Sequence, residues 1–251
     1  MMNIILVIIL LGLMIYVGGG RGVKMFISLL INFAILMLTF YLIAFGFNPV
    51  VVAVIGCLVI AYVMLYFVNG HNIKTENAFK AVVIVLIILS VLIYVITKVS
   101  NIAGFGYESE EEINMFSYNV NLDFVKVTMA LIIIGLIGAT VDVAMSISSS
   151  LYELKENNKN ISKEELFKAG LNMGKDILGT TTNTLFFAFL GEFMTLLIYF
   201  KTAKYSFLTI LNNKTFCQEF IQIMFSAIGC ILVIPITTYI SSRSLVKKKD
   251  K

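Results

Sequence analysis

Long apolar runs separated by short polar turns dominate the chain. Seven stand out, at residues 2–18, 25–46, 49–69, 80–99, 124–152, 179–200 and 216–241. Each approaches or exceeds the roughly 20 residues a helix needs to cross the hydrocarbon core at about 1.5 Å per residue. Only helices and closed barrels satisfy every backbone N–H and C=O in lipid, and barrels alternate apolar and polar positions over short segments. The pattern predicts an all-α, polytopic membrane protein of about seven transmembrane helices. They form one transmembrane helical domain over residues 1–251.

Two segments follow a different pattern. In ISKEELFKAGLNMGKDIL, residues Leu166, Ala169, Gly170, Met173 and Ile177 recur in steps of three, four and one, and Lys163, Glu164, Lys168 and Lys175 fall elsewhere. Ser162 followed by Glu165 has the spacing of a capping box. This predicts an amphipathic cytoplasmic helix over about 162–178 that leads into the sixth run. The apolar YSFLTIL, within the loop from Lys201 to Lys214, predicts a short helix on the outer surface.

The fifth run contains the chemistry. Gly135, Gly138, Asp142, Ser146, Ser149 and Glu153 lie three or four residues apart, so they share one helix face. Half the stripe is small residues that let another helix approach closely. A charged side chain at the bilayer centre costs at least about 2.5–3.5 kcal/mol, so the stripe is expected to face protein or a water-filled cavity. The sixth run opens with GKDILGTTTNT. There Asp176, Thr180, Asn183 and Thr184 repeat the spacing, with Lys175 and Gly179 beside them. Thr and Asn side chains donate and accept hydrogen bonds. Thr180, Asn183 and Thr184, together with Ser146 and Ser149, are the expected partners of Asp142. Asp142 is then a candidate proton relay, with Asp176 and Lys175 at its cytoplasmic end. The equal alternative is a structural polar knot that locks the helices together. Gly135, Gly138, Gly179 and, in the seventh run, Gly229 are the expected packing positions.

Composition and charge sharpen this picture. Hydrophobic residues make up 59% and charged residues 14%, whereas soluble domains carry about 25% charged residues. The mean hydropathy is +0.94. Fourteen of the 19 basic residues flank the turns after runs 1, 3 and 5 or lie in the C-terminal tail. The positive-inside rule makes that side cytoplasmic, with the N-terminus out and the C-terminus in. The other side carries the acidic run Glu108, Glu110, Glu111 and Glu112. The N-terminal stretch lacks a basic n-region and an A-x-A cleavage site, so a retained first span is expected.

The remaining residue types exclude several classes. Cys57, Cys217 and Cys230 show no metal-binding spacing and read as small packing residues. His71 is the single histidine and lies in a turn, which leaves no basis for a zinc site. No base stands at helical spacing from the serines near Asp142. No catalytic residue, metal or cofactor is therefore expected, the chain is not expected to be an enzyme, and the small net charge of +4 gives no sign of nucleic-acid binding.

The segments GLIGATVDVAMSISSSLYELKENN and ELFKAGLNMGKDILGTTTNTLFFAFLGE resemble the YibE/F family of bacterial membrane proteins. Gly19, Gly20, Arg21 and Gly22, Asn48-Pro49, and Ser226, Gly229, Pro235 and Thr237 match further family elements. The resemblance covers nearly the whole chain and is to the shorter, YibF-like type without an extracytoplasmic domain. It implies a multi-pass protein of the bacterial cytoplasmic (inner) membrane with a YibE-like partner. A looser similarity in layout, an aspartate span followed by a Thr-rich start of the next, is to the SecD/SecF proteins of the RND superfamily. That similarity implies a proton-carrying role for Asp142. Together these readings predict a membrane subunit of a transport or export system, coupled to protons or to a small solute. The alternative is a non-transporting scaffold.

Overall fold

The computed structural model describes residues 2–100 and 123–247. The acidic run Glu108–Glu112 and the tail lysines Lys248, Lys249 and Lys251 lie outside the described residues. The elements in order are α1 (Met2–Ala44), α2 (Pro49–Tyr62, continued by a π-helical turn, Val63–Phe67), α3 (Ile73–Ser100), α4 (Phe124–Asn157), α5 (Lys163–Thr202), α6 (Phe207–Leu211) and α7 (Lys214–Lys247). Six of these are long and apolar enough to cross a membrane, all except α6.

The expected count of about seven differs from this six at one place. Runs 1 and 2 are not separated by a loop: both lie in α1, which breaks only at Gly19, where φ is 53° and ψ is −135°. That positive φ is one glycine adopts without steric cost. The bend is sharp, because a Cβ on Gly22 would collide with the Met14 carbonyl. Eight residues of straight helix would hold those positions about 12 Å apart. The polar GGGRG turn read from the sequence is thus a broken helix, and its two legs correspond to the two expected runs.

Local signals explain most other boundaries. Asn48 caps α2 by accepting from the Val50 N–H, and Pro49 sits in the first turn, where its missing N–H costs nothing. Asp123 caps α4 by accepting from the N–H groups of Val125 and Lys126. Ser162 and Glu165 form a reciprocal capping box at the start of α5. From there the helix runs without interruption, so the amphipathic segment 162–178 and the sixth run form one rod. Leu166 and Gly170 on its apolar face are buried, while Lys163, Glu164, Lys168 and Lys175 are exposed.

α4 is the centre of the bundle, packed against α2, α3, α5 and α7. Its inner face is apolar, with Ile132, Ile133, Leu136, Ile147 and Leu151 at most 1% exposed. Small residues set the close approaches. A Cβ on Gly229 of α7 would lie 2.9 Å from Thr140 Oγ1 of α4 and 3.2 Å from Leu89 Cδ1 of α3. On α5, Gly170 faces Thr238 and Leu151, and Gly174 faces Ile234. Cys57 of α2 is buried and its thiol donates to the Ile133 carbonyl at 3.5 Å. This is how membrane helices associate, through tight backbone approach rather than exclusion of water.

The α2–α3 turn, the α4–α5 turn and the C-terminal end of α7 gather at one end of the bundle. Lys74 lies over the Tyr152 ring and Lys163 over the Tyr239 ring, linking α3 to α4 and α5 to α7 there. In contrast, Ile4 to Leu10 of the first α1 leg are all exposed and apolar.

Candidate functional site

Asp142 stands close to the middle of α4. Its neighbours Val141, Val143 and Ala144 are buried in the core, and helical periodicity turns Asp142 the other way. The carboxylate is accessible at the bundle surface, with protein on its inner side. Ser146, one turn along, is exposed, and Ser149 is half-buried. At Gly138 an added Cβ would meet no atom within 4 Å. The polar stripe is therefore a single face, and beside Gly138 that face is open.

The expected bonding of Asp142 to the start of the sixth run is not found. Thr180, Asn183 and Thr184 are exposed on α5, as are Lys175, Asp176 and Gly179. The Thr180 hydroxyl donates to the Ile177 carbonyl at 3.0 Å and the Thr184 hydroxyl to the Thr180 carbonyl at 2.9 Å. These hydroxyls are satisfied within their own helix, a common solution for Thr on a helix. Among the described residues, Asp142 makes no ion pair. The packing glycines divide. Gly135 lies against the Gln222 side chain and Gly229 against Thr140, but Gly138 and Gly179 have nothing within 4 Å of an added Cβ. Spacing alone placed all four at contacts; the rotation of α4 and α5 leaves two of them uncovered.

Sequence reasoning missed a buried polar seam on another face of α4. Ser148, 1% exposed, donates to the Lys74 carbonyl of α3 at 2.8 Å. It also accepts from Ser241 of α7 at 3.3 Å. Thr237, Thr238 and Ser242 of α7 and Asn77 of α3 are buried around the same end. The pairs Thr237-Thr238 and Ser241-Ser242, one turn apart, were the available signal. Through Ser148 this seam ties three helices together. His71 stacks on Tyr66 with ring centroids 4.4 Å apart. Among the described residues, no three His, Cys, Asp or Glu side chains are grouped to hold a metal ion.

Several spanning helices around one packed core, with a charged group midway along the central one, define a polytopic α-helical membrane protein. The comparison with protein families agrees. The family described as YibE/F-like protein matches residues 6–247, and the chain belongs to that family. No curated protein and no solved structure matches it. The similarity to SecD/SecF proteins gains no support from these comparisons.

Proposed function

We propose that this chain is the membrane subunit of a bacterial transport or export system in the cytoplasmic membrane, and that proton exchange at Asp142 couples it to the proton gradient. One observation supports this above others. Asp142 sits midway along a membrane-spanning helix, on an accessible face, without an ion-pair partner among the described residues. Lipid contact there would cost at least about 2.5–3.5 kcal/mol. Water or another polypeptide must therefore cover that face, and a carboxyl group reached by water can take up and release a proton. Ser146 and Ser149 continue the polar face toward the end that carries most of the basic residues. The positive-inside rule assigns that end to the cytoplasm in this reading. The family resemblance supports a YibE-like partner, and the partner supplies the remaining cover. The role needs no catalytic residue.

A second reading follows from the uncovered glycines. With nothing near an added Cβ at Gly138 of α4 or Gly179 of α5, the surface at these positions suits a helix of a partner, and the chain would then be a non-transporting scaffold. Proton flux separates the two. Liposomes carrying the chain with a YibE-like partner would be given a pH gradient, with wild type compared against Asp142→Asn and Asp142→Leu. The transport reading expects flux in wild type and none in Asp142→Asn, which keeps the shape but carries no proton. Equal behaviour of wild type and Asp142→Asn, with loss of assembly only in Asp142→Leu, would favour the scaffold.

A further inference from the structure

At the far end of the bundle from the α4–α5 turn, α5 and α7 flank an open cavity of about 460 Å³. That is within the usual range for small-molecule pockets. One wall is a face of α5 lined by the buried rings of Phe189 and Phe193, the exposed ring of Tyr199 and the carboxylate of Glu192. The other wall is the first two turns of α7, where Thr215 and Glu219 stand four residues apart. Ring contacts hold the walls in place: Phe193 packs edge-on against Phe216 at 5.2 Å and stacks on Phe189 at 5.1 Å. Phe200, which packs on Phe193 at 6.3 Å, is fully buried. This cavity is therefore built on a rigid aromatic cluster.

Its charge is unbalanced. Glu192 and Glu219 both line the cavity, one from each wall. Lys201, Lys204 and Lys214 lie on the same hairpin, yet the ion pairs among the described residues are Lys80–Glu76 and Lys126–Asp123, and neither includes a residue of the cavity. Two like charges in a partly apolar cavity are a cost that a bound cation removes. The aromatic walls select the kind of cation. A cation is attracted to the face of an aromatic ring, most strongly where it is desolvated. A bare metal ion would leave the phenylalanine walls and most of the volume unused.

We propose that this cavity binds an organic ammonium ion, with Glu192 and Glu219 as its counter-charges and the rings of Phe189, Phe193 and Tyr199 as its apolar walls. The site is separate from Asp142, and its binding does not depend on proton coupling there. The test uses the full chain in detergent, tetraethylammonium as probe, and titration calorimetry. Saturable binding is expected in wild type, weakened about tenfold or more in Glu219→Gln and abolished in Glu192→Gln/Glu219→Gln, and unchanged in Asp142→Asn. Thermal melting of the Gln variants, which preserve side-chain shape, checks that they are folded. The absence of saturable binding to wild type up to about 10 mM would overturn the proposal. So would wild-type affinity in the folded double variant, or calcium binding at these carboxylates without tetraethylammonium binding.

Discussion

Gly229 is the point where α7 meets both α4 and α3, and its substitution puts the packing argument to a quantitative test. In Gly229→Ala the new methyl would lie 2.9 Å from Thr140 Oγ1, at least 0.5 Å inside ordinary van der Waals contact, and 3.2 Å from Leu89 Cδ1. Neither neighbour can yield easily. The Thr140 hydroxyl is tied to the Leu136 carbonyl at 2.8 Å, and Thr140 and Leu89 are at most 1% exposed. Overpacking of this kind costs about 1–3 kcal/mol. Replacing Gly by Ala in a helix returns about 0.8–1 kcal/mol. The net expectation is a loss of about 0–2 kcal/mol for Ala, and a larger loss for Gly229→Leu. For a chain of this size that lowers the melting temperature by at most about 8 °C for Ala. Gly138→Leu is the matched control, because its Cβ meets nothing within 4 Å. The assay is thermal unfolding in one detergent, followed by circular dichroism. If Gly229→Leu melted like wild type, or Gly138→Leu in the isolated chain lost as much as Gly229→Leu, the helix rotations described above would be wrong.

Other expectations concern polar contacts. Ser148→Ala removes the donor to the Lys74 carbonyl and the acceptor for Ser241, leaving buried groups unsatisfied. A loss of about 1–3 kcal/mol in the same melting assay is expected, whereas Ser146→Ala, on the exposed face, should change little. Asp123 is held below the usual carboxylate range by its hydrogen bonds and pairing with Lys126. Its contribution to the start of α4 is therefore full at neutral pH, and falls away as pH drops below about 4 through the lowered folded-state value. Hydrogen-exchange protection at residues 124–127, taken relative to the intrinsic rate at each pH, should fall in acid in wild type; Asp123→Asn, which keeps a cap acceptor, should show a smaller change with pH. Asp123→Ala should loosen the first turn at neutral pH by about 1 kcal/mol.

Much of the fold was legible because its signals are local. Apolar run length marks spanning helices, Ser162 with Glu165 marks a helix start, and Asn48-Pro49 marks another. The glycine cluster after the first run reads as a loop between two spans, but a single positive φ at Gly19 suffices to reverse the chain, so the helix resumes where a loop is expected. The candidate site was less legible. A period of three or four identifies a shared face, yet carries no information on whether that face looks inward or outward. Asp142, Ser146 and Gly138 share a face that looks outward from α4. Ser148, out of phase with that stripe, makes the contacts that cross between helices. Gly170 and Gly174 approach α7 because α5 runs as one rod from the amphipathic segment into the membrane, which the division at residue 178 concealed.

The central claim is that Asp142 exchanges protons within the membrane. Infrared difference spectroscopy of the chain in lipid, across a pH series, tests it most directly. The account predicts a carboxyl C=O band that rises and falls with pH in wild type and disappears in Asp142→Asn, while remaining in Glu192→Gln/Glu219→Gln. A wild-type spectrum whose pH-dependent carboxyl bands are all retained in Asp142→Asn would contradict it.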